Sequence, residues 1–218
     1  MKGLFIALEG IDGSGKSSAM AFIRQFLEDA KVPSKFTREP GGTPAAEKIR
    51  DLVLWGTDEH TDDFSNWAEA CLYNASRSTH LQNMVLPSIE DGYFVVSDRF
   101  CDSTFAHQGG GRNLSLDDLK TLHRIVCWDI KPDVTFLLDG DPLMFRKRMS
   151  DQGRKFDRLE QQPIEFQYKS RAIHLQMMEE DPERYILIDA EQNQECVQAQ
   201  LIPHLMAIIN KYRQRITV

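Results

Sequence analysis

Five short apolar runs recur along the chain, at Leu4–Glu9, Lys35–Arg38, Tyr93–Asp98, Val134–Asp139 and Tyr185–Asp189. Each is too short for a helix, is rich in Val, Ile, Leu, Phe or Tyr, and closes on a polar residue, as a strand buried in a parallel sheet does at its carboxyl end. Between them, longer amphipathic stretches predict helices over Lys16–Ala30, Pro44–Leu54, Phe64–Ser88, Leu116–Cys127, Pro142–Met149, Pro163–Glu180 and Cys196–Tyr212. Thr43 before Pro44 places proline at a first helical position, and Ser115-Leu-Asp-Asp118 resembles a capping box with Asp in place of Glu. This alternation predicts an α/β fold, a parallel five-stranded sheet with helices on both faces and five strand ends converging on one crevice. No repeat, low-complexity tract or linker interrupts it, so residues 1–218 are expected to form a single domain.

Composition adds limits. With 41% hydrophobic and 27% charged residues the chain is of ordinary globular make-up. A net charge of −7 argues against a surface built to coat nucleic acid. No run approaches the ~18 apolar residues of a membrane span, and the first apolar run meets Glu9 too early for a signal peptide, so a cytoplasmic protein with no membrane partner is expected. Cys71, Cys101, Cys127 and Cys196 are scattered, with no C-x-x-C pair and no His at zinc-ligand spacing, which predicts four reduced thiols.

The candidate chemistry begins directly after the first strand, where Gly10-Ile11-Asp12-Gly13-Ser14-Gly15-Lys16-Ser17 matches G-x-x-x-x-G-K-[ST] in full. Glycines let backbone N–H groups curl around phosphate oxygens, the helix that follows presents its positive end, Lys16 reaches the β- and γ-phosphates, and Ser17 can ligate Mg²⁺. By itself the loop defines a nucleotide-binding class and no reaction. Asp12 is an odd occupant of an anion cradle: it either faces solvent or accepts a hydrogen bond from a hydroxyl of a second ligand.

Residues suited to that second ligand lie at the next strand ends, Phe36-Thr-Arg38-Glu-Pro-Gly-Gly-Thr43 and Asp98-Arg99-Phe100, the latter leading into Ser103-Thr104-Phe-Ala-His107-Gln108-Gly-Gly-Gly-Arg112. Two arginines at the carboxyl edge beside a phosphate loop suggest a second phosphate to be held. Residues 146–158 carry six bases and two acids, a net +4 in a chain that is −11 elsewhere.

These pieces, E-G-I-D-G-S-G-K-S, T-R-E-P-G-G-T, D-R-F with S-T and Q-G-G-G-R, K-P-D-V-T-F-L-L-D, and D-R-L-E, make the chain resemble the thymidylate kinases over about residues 3–190. The resemblance implies a P-loop NTPase-type fold with a short lid at about 146–160, and transfer of a phosphoryl group from MgATP to dTMP, giving dTDP and ADP, a step in dTTP synthesis. It implies Mg²⁺ as cofactor and a homodimer, for which the apolar positions of Phe64–Ser88 and Leu116–Cys127 could supply an interface. ATP would be held by residues 10–18 (Gly10, Ile11, Asp12, Gly13, Ser14, Gly15, Lys16, Ser17, Ser18), with Arg148 against adenine, and the metal by Ser17 and Asp98. For the acceptor, Asp12 would take the sugar 3′-hydroxyl, and Arg38, Arg77 and Arg99 the phosphate. Tyr73 would stack near thymine, with Phe36, Ser103, Thr104, His107 and Gln108 completing the pocket; Thr104 and Gln108 suit the pyrimidine edge.

Some thymidylate kinases carry an arginine within the phosphate loop and others in the lid; here Gly13 stands in the loop position, so the resemblance implies the lid type. Arg154 is the first candidate for that arginine and Arg158 the second, joining Lys16 and Arg99 as catalytic residues. His107 departs from the family pattern, which commonly has a tyrosine there close to the sugar. An acceptor phosphate is already an oxyanion, so the reaction needs alignment and charge neutralisation more than a general base. The rival readings are a broader deoxynucleoside monophosphate kinase and, from another class, a regulator that binds nucleotides without turnover; no N-K-x-D-type guanine-reading motif supports a GTPase.

Overall fold

The computed structural model describes residues 2–55, 64–151, 153 and 156–216. Its centre is a five-stranded sheet in the order β2-β3-β1-β4-β5, with β1 Phe5–Glu9, β2 Ser34–Arg38, β3 Phe94–Asp98, β4 Val134–Asp139 and β5 Tyr185–Asp189. All four pairings are parallel. The two-residue alternation of a strand divides the core cleanly. Ile6, Leu8, Phe94, Val96, Phe136 and Leu138 pack one face against Ile23 and Leu27 of α1 (Lys16–Asp29) and Leu201 and Leu205 of α9 (Gln194–Ile216). Phe5, Ala7, Val95 and Leu137 pack the other face against Ala70 of α3 (Asn66–His80), Leu119 of α6 (Leu116–Cys127) and Met177 of α8 (Ile164–Glu180). Both faces are thus covered, which is why the strands read as apolar runs rather than alternating ones.

Register aligns the polar strand ends. Arg38 and Leu8 both lie opposite Asp98, Glu9 opposite Leu137, and Asp139 opposite Asp189. The chain leaves β1 into the phosphate loop where the strand order reverses direction, so the loop opens onto the crevice between β1 and β3.

The helices follow the predicted pattern with two differences. The stretch expected as a single helix over Phe64–Ser88 runs as α3, a π-helical segment Leu81–Val85 and α4 (Leu86–Glu90). Pro87 has no N–H to donate and its ring crowds the carbonyl four residues earlier, so the helix widens ahead of it. No element was expected between residues 100 and 113, yet α5 (Cys101–Thr104) continues into a π-helical segment Phe105–Gly111. Its glycines are poor helix formers, and they are needed for close packing. A Cβ at Gly110 would lie 2.7 Å from both Ile173 Cγ1 and the Lys169 carbonyl, and one at Gly111 would enter the Phe166 ring. Gly110 and Gly111 let α8 lie directly on this segment, and Gly109 makes room for Leu116 of α6. The expected cap forms, with Ser115 Oγ accepting from Asp118 N at 3.3 Å. The other helices are α2 (Pro44–Trp55) and α7 (Pro142–Asp151).

Candidate active site

The strand ends enclose a cavity of about 650 Å³ whose wall runs from the phosphate loop to α3 and the Cys101–Gly111 helical segment. At one end, Gly15 caps α1 at φ +89°, a left-handed conformation suited to glycine, and turns the loop into the helix. Lys16 folds back over the loop: Nζ donates to the carbonyls of Gly10 and Ile11 at 2.9 Å each and to Ser14 Oγ at 3.4 Å. Burial and the nearby Arg99 push its pKa down to about 8, against the acids Asp98, Asp12 and Glu9. The ammonium is therefore already positioned and poorly solvated, ready to exchange loop carbonyls for phosphate oxygens.

Arg99 sits at the middle of the cavity. Its backbone is left-handed, φ +72°, unusual for a residue with a side chain and of the order of 1–3 kcal/mol in strain. Glu9 holds the turn. Its Oε1 accepts from Phe100 N at 2.7 Å and Ser103 N at 3.3 Å, its Oε2 accepts from Ser103 Oγ at 2.6 Å, and Ser103 Oγ in turn accepts from Arg99 Nη1 at 3.0 Å. Arg99 Nη1 also donates to the Gly10 carbonyl at 3.0 Å, and Nη2 donates to Asp12 Oδ1. This answers the question raised by Asp12. Burial disfavours its charge, but Arg99, His107, Lys16 and the Gln167 hydrogen bond together outweigh burial and hold the carboxyl well below the usual range. Asp12 Oδ2 accepts from Gln167 Nε2 of α8 at 3.4 Å, so the acid faces the second half of the cavity and not solvent.

Glu9 is fully buried, and desolvation followed by the Asp102 charge raises its pKa to about 7. A folded-state value above the unfolded one means that Glu9 favours the folded chain less as pH rises from about 4.5 to 7. The imidazoles of His107 and His174, each pushed down to about 3 chiefly by burial, and His123, to about 4, act oppositely: their stabilisation is present above pH 6.5 and is lost on acidification. Glu9→Gln is therefore expected to steepen the loss of stability between pH 7 and pH 5. Urea midpoints of parent and variant at the two pH values check this, and parallel losses would refute it.

The far end of the cavity is built by α3 and the segment after Asp98. Arg77 is buried; its Nε donates to Glu39 Oε2 at 2.7 Å, and its Nη2 to Thr104 Oγ1 at 2.9 Å and the Phe100 carbonyl at 3.1 Å. Tyr73, one turn earlier, lines the same wall, as do Thr104, His107 and Gln108. Gln108 Nε2 donates to Glu69 Oε1 at 2.9 Å. His107 stacks on Phe166, ring centroids 5.9 Å apart. The turn after β2 is stitched in place by Gly41 N donating to Ser76 Oγ at 3.1 Å and Gly42 N to Glu47 Oε1 at 2.8 Å.

Not every residue expected in the site lies on the cavity wall. Arg38 is exposed and donates to Glu47 at 2.9 Å, and Phe36 carries Arg24 over its ring at 4.0 Å; neither lines the cavity. Arg77 lies deep beside Thr104, apart from Arg38. Arg158 does not line the cavity either; it donates to Glu69, behind Gln108 of the cavity wall. Arg154 lies outside the described residues. Arg148 lines the opposite end, with Nη1 donating to the Ala190 carbonyl at 2.6 Å and Nη2 to that of Glu191 at 2.7 Å, beside Gln192 and Asn193.

Sequence reasoning missed Arg50, whose Nη1 donates to the Pro40 carbonyl at 2.8 Å inside the cavity. A signal existed, because Arg50 lies four residues after Ala46 and three before Val53, both buried. It also missed Gln167, part of a buried polar stripe with Ser170 and His174 on α8 that reads as a solvent face. Leu159 was a third omission; it lines the cavity and joins Val53, Leu54, Tyr73 and Phe166 in one apolar cluster.

A phosphate loop with its lysine, a fixed arginine paired with an aspartate, and a second polar pocket line one cavity, the arrangement of a P-loop kinase. The sequence model of the thymidylate kinase family matches residues 8–201. The chain is similar to the thymidylate kinase of Hahella chejuensis, 43% identical over 206 residues that cover 94% of this chain and 97% of that one. It is also similar to that of Chromobacterium violaceum, 41% identical over 211 residues, covering 96% and 97%. Among solved structures, the thymidylate kinase of Ehrlichia chaffeensis superposes with a TM-score of 0.74 at 27% identity, covering 94% of this chain and 99% of that one. The chain belongs to the thymidylate kinase family.

Proposed function

We propose that the chain transfers the γ-phosphoryl group of MgATP to dTMP, giving dTDP and ADP. The observation that carries this reading is the one cavity joining Asp12–Ser18 of the phosphate loop to the Tyr73, Arg77, Thr104 and Gln108 pocket in a member of this family. Loop N–H groups and Lys16 hold the donor phosphates, and Arg148 lies where adenine would pack. Arg99, fixed from behind by Ser103 and Glu9, lies between the loop and the acceptor pocket, where it meets the acceptor phosphate. Asp12 takes the sugar hydroxyl. No base is required, because the attacking oxygen already carries charge; the protein's contribution is alignment and neutralisation.

The residues present fit Mg²⁺. Asp98 has a buried carboxylate oxygen, Oδ1, with no protein partner, and Ser17 offers a hydroxyl at the first turn of α1, a hard-oxygen pair of the kind this ion takes while keeping several waters. When bound, the ion supplies charge neutralisation on the donor phosphates.

The lid at about 146–160 belongs to the same single domain in this reading, which is of the lid-arginine type. Arg154 is the residue that reaches the transferring phosphoryl group, since Arg158 is engaged by Glu69. The chain acts as a homodimer, for which the exposed Ile125 on α6 and Trp128 at its end suit a partner surface. No helix among the described residues is long and apolar enough to cross a membrane.

The test is kcat/KM with dTMP, dUMP, dCMP and dGMP as acceptors. dTMP is expected to lead. dUMP lacks only a methyl group and should trail by about 10–200-fold, and dCMP by more because it mismatches the hydrogen-bonding edge. Equal rates across the pyrimidines would replace the reading with a broad deoxynucleotide kinase.

A further inference from the structure

Glu69 is buried at 1% exposure on α3, lies outside the cavity wall, and accepts four hydrogen bonds from three side chains. Its Oε1 accepts from Gln108 Nε2 at 2.9 Å and Arg112 Nε at 3.2 Å; its Oε2 accepts from Arg112 Nη2 at 3.2 Å and from Arg158 Nη2 of the lid. A carboxylate flanked by two guanidinium groups offers lone pairs on both oxygens and no hydrogen. The amide of Gln108 therefore has one permitted orientation, nitrogen toward Glu69, and its carbonyl oxygen is left to the cavity that Gln108 lines.

That orientation has a chemical consequence for the acceptor. The neighbouring Thr104 hydroxyl accepts from Arg77 and can still rotate to donate or accept, so it tolerates either a keto or an amino group on a pyrimidine. A fixed amide oxygen does not rotate. It accepts from a ring N–H, which thymine and uracil have at N3, and it opposes the lone pair that cytosine has there.

Resting on the dTMP kinase reading above, we infer that Glu69 is a positioning residue for acceptor selection: it never touches the nucleotide, and it excludes cytosine by locking the amide of Gln108. Its contact with Arg158 ties the lid segment to the same carboxylate, so base recognition and lid position share one buried group.

The experiment is a double-variant cycle of Glu69→Gln and Gln108→Ala, read as the ratio of kcat/KM for dTMP to that for dCMP. A ratio taken on one enzyme preparation is independent of how much of it is folded. Glu69→Gln should lower the ratio by about tenfold or more, because the new amide can present either end to Gln108 and free it to flip. In the Gln108→Ala background the same change should leave the ratio unaltered, since Glu69 acts only through Gln108. A ratio unchanged by Glu69→Gln in the parent background, with both acceptors slowed by the same factor, would overturn the inference, as would an equal drop in both backgrounds. A parent ratio near one would instead overturn the dTMP reading on which it rests.

Discussion

Arg99→Ala is expected to lower kcat/KM for dTMP by about 10³-fold while ATP still binds, since a single preorganised donor aimed at developing charge is worth about 10²–10³ and Arg99 is proposed to hold the acceptor phosphate as well. The guanidinium is fixed from three sides, by Ser103 Oγ, the Gly10 carbonyl and Asp12, on a turn held left-handed by Glu9. Its removal leaves the Asp12 carboxylate enclosed without its cation, at a stability cost of about 3–5 kcal/mol. The two losses separate in a further variant. Adding Asp12→Asn to Arg99→Ala should restore most of the stability and none of the turnover, as read by urea denaturation and single-turnover kinetics. Recovery of activity along with stability would show that Arg99 serves the fold alone.

Arg154→Ala should have the larger effect on the chemical step, a fall in kcat of about 10³–10⁵, the range of an arginine that neutralises charge in phosphoryl transfer, with dTMP affinity retained. Arg158→Ala should act differently. Arg158 donates to Glu69 beside the acceptor pocket, so its loss should raise KM for dTMP more than it lowers kcat. Rapid-quench measurement of the phosphoryl-transfer step in both variants decides between them, and a larger fall with Arg158→Ala would exchange the two roles.

Much of this architecture was legible in the sequence because each signal was local. Strand ends such as Glu9, Asp98 and Asp139 were marked by an apolar run meeting a charge, and the phosphate loop by glycines at fixed spacing. What was not legible depends on residues far apart in sequence. Nothing local marks residues 109–111 as helical, and only the approach of Leu116 from α6 and of Phe166, Lys169 and Ile173 from α8 explains why glycine is required there. Nothing near Glu69 in sequence marks it, because its partners Gln108, Arg112 and Arg158 lie 39 to 89 residues away. Asp12 was visible as an anomaly from charge alone, but its answer, Arg99, is 87 positions distant. The resemblance implied a phosphate role for Arg38 and Arg77; the fold leaves Arg38 exposed with Glu47 and sets Arg77 on the cavity wall against Glu39 and Thr104, partners that sequence spacing does not show.

The central claim, phosphoryl transfer between two nucleotides in one cavity, is tested most directly by incubating the purified chain with MgATP and dTMP and separating the nucleotides by ion-exchange chromatography. Equal amounts of dTDP and ADP, formed only when both substrates are present, are the result expected. ADP without dTDP would make the chain an ATPase, and binding of both nucleotides with neither product would make it a regulator; either outcome would contradict the account.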